Sequence, residues 1–212
     1  MCGRFVLLTD LSVIVESFDI QEVACEWRSG SNIAPGRNIL AVIRKEDRNI
    51  LVDFRWGLIP SWARDPAIGS RMFNARAETV AEKPSFKRAF RKRRCLIVAD
   101  GFFEWQKSGR TRQPFYFSLR SDESFGFAGL YETWVGPARQ QIHSCTIITT
   151  EPNDLIRPIH DRMPVILPKA READWIGGHP DPGRLKSMLT PYPAEEMKMA
   201  AVTSPLKGID PF

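Results

Sequence analysis

The residue with the most unusual chemistry follows the initiator methionine. Removal of Met1, which a second residue as small as Cys2 permits, leaves an α-amine and a thiol on adjacent carbons. A free α-amine titrates near about 7.7–8.0 and a thiol near about 8.5, so both are partly deprotonated nucleophiles around neutral pH. Two reaction types follow. In one, the thiol attacks an amide or ester and the amine serves as base. In the other, the amine attacks an aldehyde to give a Schiff base, and the thiol closes on the imine carbon as a five-membered thiazolidine. Only an N-terminal cysteine carries both groups. The plainer reading is a cysteine that merely follows methionine and is buried or inert.

Three further segments carry groups suited to such chemistry. In FNARAET (73–79), Asn74, Arg76 and Glu78 alternate and would share one face of an extended strand. Asn can orient a carbonyl or sugar oxygen, and Arg can grip a phosphate bidentately. In ADGFFEW (99–105), Glu104 sits between Phe103 and Trp105. A carboxyl among aromatics is desolvated, and its raised pKa suits it to proton transfer. In IRPIHDRMP, His160 lies between two prolines, a stiff loop that suits a general acid or base, with Asp161 beside it to orient the ring. Taken singly, each has an ordinary alternative: a surface ion pair, an exposed Glu, a structural His.

The elements that must position these groups are mostly strands. Leu11, Ile14, Val15 and Phe18 recur at helical spacing after Thr9 and Asp10, which predicts a short amphipathic helix. Residues 28–38 have loop composition. ILAVIR (39–44) and ILVDFRW (50–56) flank KEDRN as a hairpin. Residues 57–74 predict a long loop containing Trp62, and loops of that length are often functional. Residues 84–94 predict a helix, with Phe86, Ala89 and Phe90 on one face. CLIVAD, PFYFSLR, FGFAGLY, HSCTIITT and PVIL read as strands; READWI and GRLKSML read as short helices. Without regular βαβ alternation, this is an α+β chain around a barrel-like sheet, taken as one domain over residues 1–212.

Composition narrows the classes. The chain has 212 residues, 43% hydrophobic and 26% charged, ordinary for a folded protein. No apolar run approaches the roughly 20 residues of a membrane helix, and no secretory signal is visible. The expectation is a cytoplasmic monomer, nucleoid-associated in a bacterium. Four cysteines and three histidines form no CxxC or HxxxH pattern, so no metal, cofactor or disulfide framework is expected. The net charge of +5 favours polyanionic partners. Lys87, Arg88, Arg91, Lys92, Arg93 and Arg94 cluster; Arg4, Arg37, Arg71 and Arg76 lie near the motifs above. Cations interleaved with Trp62 and Phe73 are what single-stranded nucleic acid binding uses. The 84–94 helix reads as a solvated face, and the strand groove falls on the loops.

MCGRF, NIAPG, WGLIPSW, FNARAET, ADGFFEW and IHDRMP, in this order, resemble the SRAP family, the SOS-response-associated peptidases or abasic-site processing proteins. The match runs from residue 2 to about residue 167. The resemblance implies a barrel-like bifurcated sheet surrounded by short helices. It implies that Cys2 crosslinks to the ring-opened aldehyde of an abasic site in single-stranded DNA. It gives Asn74 the positioning of the sugar or of the Cys2 backbone, Glu104 proton transfer, and His160 help in ring opening and Schiff-base formation. Arg4 and Arg76 match phosphate-contacting positions; Asn32, Pro35, Trp62 and Thr149 match positions lining the strand. Ala63 follows Trp62 where some members carry a second aromatic, and Pro84 falls where some carry an Arg. The implied activity is DNA crosslinking, with AP-lyase or self-processing peptidase activity beside it. Two other readings remain open: an N-terminal-nucleophile peptidase or amidohydrolase, since class II glutamine amidotransferases also begin Met-Cys-Gly, and a non-enzymatic single-strand binder.

Overall fold

A computed structural model describes residues 2–109, 111–178 and 181–203. In chain order the strands are β1 (Phe5–Leu7), β2 (Ile20–Val23), β3 (Gly30–Ile33), β4 (Asn38–Lys45), β5 (Arg48–Trp56), β6 (Asn74–Arg76), β7 (Arg94–Ala99), β8 (Gly101–Ser108), β9 (Thr111–Leu119), β10 (Phe125–Val135), β11 (Gln141–Thr150), β12 (Met163–Pro164), β13 (Ile166–Leu167) and β14 (Met197–Ala201). The helices are short: α1 (Leu11–Ser17), α2 (Lys87–Lys92), α3 (Lys169–Ile176) and α4 (Pro182–Ser187). None of them is long and apolar enough to cross a membrane.

Five strands close a barrel in the order β5–β4–β7–β10–β11. Neighbours are antiparallel except at the seam, where β11 runs parallel to β5 with Cys145 opposite Trp56. A second sheet has the order β14–β9–β8–β1–β3. The chain crosses between the two sheets several times, most directly where β7 leaves the barrel at Asp100 and continues as β8 in the second sheet. This is the bifurcated, barrel-like α+β architecture that the motif resemblance implies.

Local chemistry explains the junctions. The β4–β5 hairpin turns at Glu46 and Asp47, both at positive φ (50° and 60°), the two-residue turn whose twist matches paired strands. Every residue of β7 is buried, and Phe5, Trp56 and Phe127 meet edge to face in the core. Such two-sided burial replaces alternation with a continuous apolar run. Gly57 has φ 133°, and a Cβ there would meet the Gly69 carbonyl oxygen at 2.6 Å. That close approach folds the Trp62 loop against the 3₁₀ turn Pro66–Arg71.

The structure differs from the sequence expectations at several edges. The 28–38 loop contains β3, paired to β1. The extended run at 73–79 is a strand only over Asn74–Arg76. It breaks there because the Thr79 N–H donates to the Arg76 carbonyl, so Glu78 lies in a turn. The helix expected at 84–94 spans only Lys87–Lys92; Pro84 lies in the turn before it. PVIL divides between β12 and β13.

Candidate active site

Cys2 lies three residues ahead of the first residue of β1, which is paired on one edge to β8 (Phe5 opposite Phe102) and on the other to β3. The Phe103 N–H donates to the Arg4 carbonyl at 2.9 Å, drawing the chain start along β8. The far end of β1 is fastened by Asp100. Its carboxylate accepts from Leu8 N–H (2.6 Å), Thr9 N–H (3.0 Å) and the Thr9 hydroxyl (2.8 Å). The residue at which β7 becomes β8 therefore also sets the register that places Cys2 near Glu104.

Cys2 is fully buried. Burial pushes its thiol well above the ordinary range, the nearby Glu104 carboxylate pushes it further, and a hydrogen bond from the Arg4 backbone pulls the other way. Glu104, on β8, is 2% exposed and registers against Phe115 of β9. Phe102 and Phe103 are also buried, so both faces of this strand are covered and the exposed-Glu alternative fails. Desolvation raises the Glu104 carboxyl to about 7. Its Oε2 lies 3.8 Å from His160 Nε2.

His160 is held by the turns of residues 153–160, its N–H donating to the Ile156 carbonyl at 2.9 Å. The Arg162 N–H donates to His160 Nδ1 at 3.0 Å, which places the neutral ring's hydrogen on Nε2, facing Glu104. Burial lowers the ring's pKa. Asp161 Oδ1, also 3.0 Å from Nδ1, receives the second hydrogen when the ring is charged.

The other sequence-selected residues form two flanks. Arg4 Nη1 donates to Asn32 Oδ1 at 2.8 Å across the β1–β3 pair. Pro35 sits in the next turn, where Gly36 N–H donates to the Trp56 carbonyl. On the opposite flank β6 runs parallel to β11, with Asn74 opposite Ile147 and Arg76 opposite Thr149. Asn74 Nδ2 donates to the Phe73 carbonyl, whereas Asn74 Oδ1 and the Thr149 hydroxyl are buried without a partner among the described residues. Arg76 is exposed. Trp62 is 59% exposed on a turn tied to β10 by Trp134 Nε1 donating to the Ala63 carbonyl at 2.7 Å; no hydrogen bond among the described residues joins its side chain to the Cys2 group.

Sequence reasoning missed Arg162, which links this flank to His160. Its guanidinium donates to both Glu78 oxygens (2.6 and 2.9 Å) and to the Thr149 carbonyl (2.6 Å). The signal was its place two residues after His160 in IHDRMP. Hydrogen bonding from Arg162 holds the Glu78 carboxyl below its ordinary range. Glu78 is half exposed, so Glu78→Ala is expected to lower stability by about 1 kcal/mol, or roughly 2–4 °C in Tm, at neutral pH. A depressed pKa contributes stability above the unfolded value and loses it as pH falls through the folded one. Thermal unfolding should therefore show variant and parent converging below about pH 4.

This fold and residue set define a class. Residues 1–208 match the family model described as SOS response associated peptidase (SRAP), and the chain belongs to that family. It is 46% identical over 208 residues to the Abasic site processing protein YoqW of Bacillus subtilis (strain 168), covering 96% of this chain and 93% of that protein. It is 34% identical over 140 residues to the Abasic site processing protein HMCES of Xenopus tropicalis, covering 56% of this chain and 42% of that one. A crystal structure of a Bacteroides thetaiotaomicron protein superposes with TM-score 0.89 at 26% identity, covering 99% and 97% of the two chains.

Proposed function

We propose that this protein captures abasic sites in single-stranded DNA as a thiazolidine on Cys2, after loss of Met1, and so shields the strand from cleavage. The carrying observation is the placement of Cys2 against a buried carboxyl that titrates near neutrality, itself 3.8 Å from an imidazole. Membership of a family whose relatives are named abasic site processing proteins supplies the substrate class.

The pKa directions support one order of steps. A desolvated thiol remains S–H, so the amine attacks the aldehyde first. The N–C bond forms and the amine proton passes to oxygen. Water leaves with a proton from Glu104, and the resulting iminium returns its N–H proton to the Glu104 carboxylate, giving the imine. Sulfur then adds to the imine carbon while the thiol proton passes to nitrogen. The balance is aldehyde plus Cys2 giving thiazolidine plus one water. His160, neutral with Nε2–H toward Glu104, relays protons and assists opening of the deoxyribose ring. Arg4 and Arg76 take phosphates. Asn74 Oδ1 accepts from a sugar hydroxyl or the Cys2 amine, the Thr149 hydroxyl donates to a strand oxygen, Asn32 and Pro35 line one flank, and Trp62 stacks a base.

Mixing the protein with an abasic single-stranded oligonucleotide is expected to give a heat-stable band on a denaturing gel. Its mass should equal protein minus Met1, plus DNA, minus one water. Binding with no covalent band, or hydrolysis of glutamine or peptide without DNA capture, overturns the proposal. The reaction belongs in the compartment that holds the DNA.

A further inference from the structure

We infer that the exposed face of α2 is a second docking surface for nucleic acid, taking the phosphodiester backbone outside the lesion. This rests on the DNA-capture reading and extends it to a region that contributes nothing to the chemistry.

The structure first reduces the basic cluster read from the sequence. Arg94 is 4% exposed and donates to the carbonyls of Phe90, Arg91, Trp175, Gly177 and Gly178, so it is a structural pivot. Arg93 pairs with Glu132. What remains is Lys87, Arg88, Arg91 and Lys92, all exposed and none in an ion pair among the described residues. With Pro84 they line a shallow concavity. Carboxylates around this face are Glu46 and Asp47 of the β4–β5 turn, which share a cleft with Lys92, Glu132, which pairs with Arg93, and Glu82 in the turn before the helix; Asp47 pairs with Arg44 and Glu82 with Lys186.

This arrangement works against the helix that carries it. Lys87–Arg91 and Arg88–Lys92 are like-charge pairs at i,i+4, each destabilising. Lys87 and Arg88 open the helix, where the macrodipole disfavours cations, with no acidic residue in the first turn and no side-chain cap. Ala89 and Phe90 hold the helix down from beneath, with the Phe90 ring 6.1 Å from Trp175. A polyanion removes all of these penalties at once.

The chain also leads from the site to this surface. Turn follows turn from Arg76: Thr79 N–H to the Arg76 carbonyl, Lys83 N–H to Thr79, Lys87 N–H to Lys83. Eleven residues of consecutive turns thus separate Arg76 from Lys87 along the chain, so the surface begins one short segment beyond the phosphate-contacting flank. An acidic protein segment is the competing occupant.

The test compares the parent with the K87Q/R88Q/R91Q/K92Q variant by fluorescence anisotropy over a salt series. The probes are an undamaged long single strand, the same strand with a duplex arm, and a short strand spanning only the lesion site. On long probes the slope of log K against log salt is expected to become shallower by about 2–3, at about 0.7 for each phosphate no longer neutralised on a single strand and 0.9 on a duplex. Whichever long probe shows the change identifies the bound form. The short probe and the covalent capture rate at saturating abasic DNA should be unchanged. Loss of repulsion should leave Tm equal or higher, so misfolding would be visible. Unchanged slopes on both long probes overturn the inference and favour an acidic protein, while capture by the parent stands as a separate result. If the parent itself captures nothing, the DNA-capture reading fails first.

Discussion

Cys2→Ser is expected to abolish the heat-stable DNA adduct while leaving the protein folded. Serine is as small as cysteine at position 2, so Met1 should still be removed and the amine should still attack the aldehyde. The hydroxyl cannot close a durable ring on the imine, and the Schiff base stays open to hydrolysis and β-elimination. Denaturing gels should change from a shifted protein–DNA band to cleaved DNA. Cys2→Ala should behave in the same way, which separates the thiol from any polar role. Burying a hydroxyl in place of the fully buried thiol costs about 1–3 kcal/mol, which leaves a folded protein by thermal unfolding. A heat-stable adduct formed by the Cys2→Ser variant, or capture by protein whose intact mass still includes Met1, would sink the mechanism.

Glu104→Gln is expected to do two opposite things. Its rate of capture should fall by about 10²–10⁴, the usual contribution of a positioned acid or base. Burial raises this carboxyl to about 7, so the protonated form that assists loss of water is depleted above that pH. Normalised to the fraction of free amine, the parent's rate of imine formation should therefore decline on the alkaline side of about 7, and the amide variant should flatten that limb. Stability moves the other way. A carboxyl with a raised folded pKa makes the fold progressively less stable as pH rises from the unfolded value to the folded one. The Glu104→Gln change removes that penalty, so above pH 7 the variant should be more stable than the parent by on the order of 1–3 kcal/mol. Stopped-flow capture with thermal unfolding at pH 5 and pH 8 tests both halves. A variant equally active and no more stable at pH 8 would show that Glu104 is neither buried at cost nor used.

Much of this architecture is legible in the residues. The 39–44 and 50–56 runs pair as the hairpin they suggest, and the apolar runs after residue 94 are barrel strands. The short pieces are not legible. β1, β3 and β6 are three or four residues long, and nothing local distinguishes them from loop; long-range pairing alone makes them strands. Of the site, the desolvation of Glu104 could be anticipated from its aromatic neighbours. The tautomer of His160 could not, because it depends on a backbone N–H two residues away. Alternation misplaced Glu78, since the strand ends before it and the turn delivers it to Arg162. The cluster at 87–94 divides into structural and exposed cations only once Arg94 is seen among carbonyls.

The position of Cys2 just ahead of β1 has a mechanical consequence. That strand is hydrogen-bonded on both edges, and its far end is tied by Asp100 to the run that enters the barrel. Tension applied at residue 2 loads those bonds in shear, across the width of the sheet, instead of unzipping them one at a time. In the proposed crosslink, a load hung from the Cys2 side chain falls on a strand paired along both edges, an arrangement suited to a tether that must hold while other machinery pulls on the DNA.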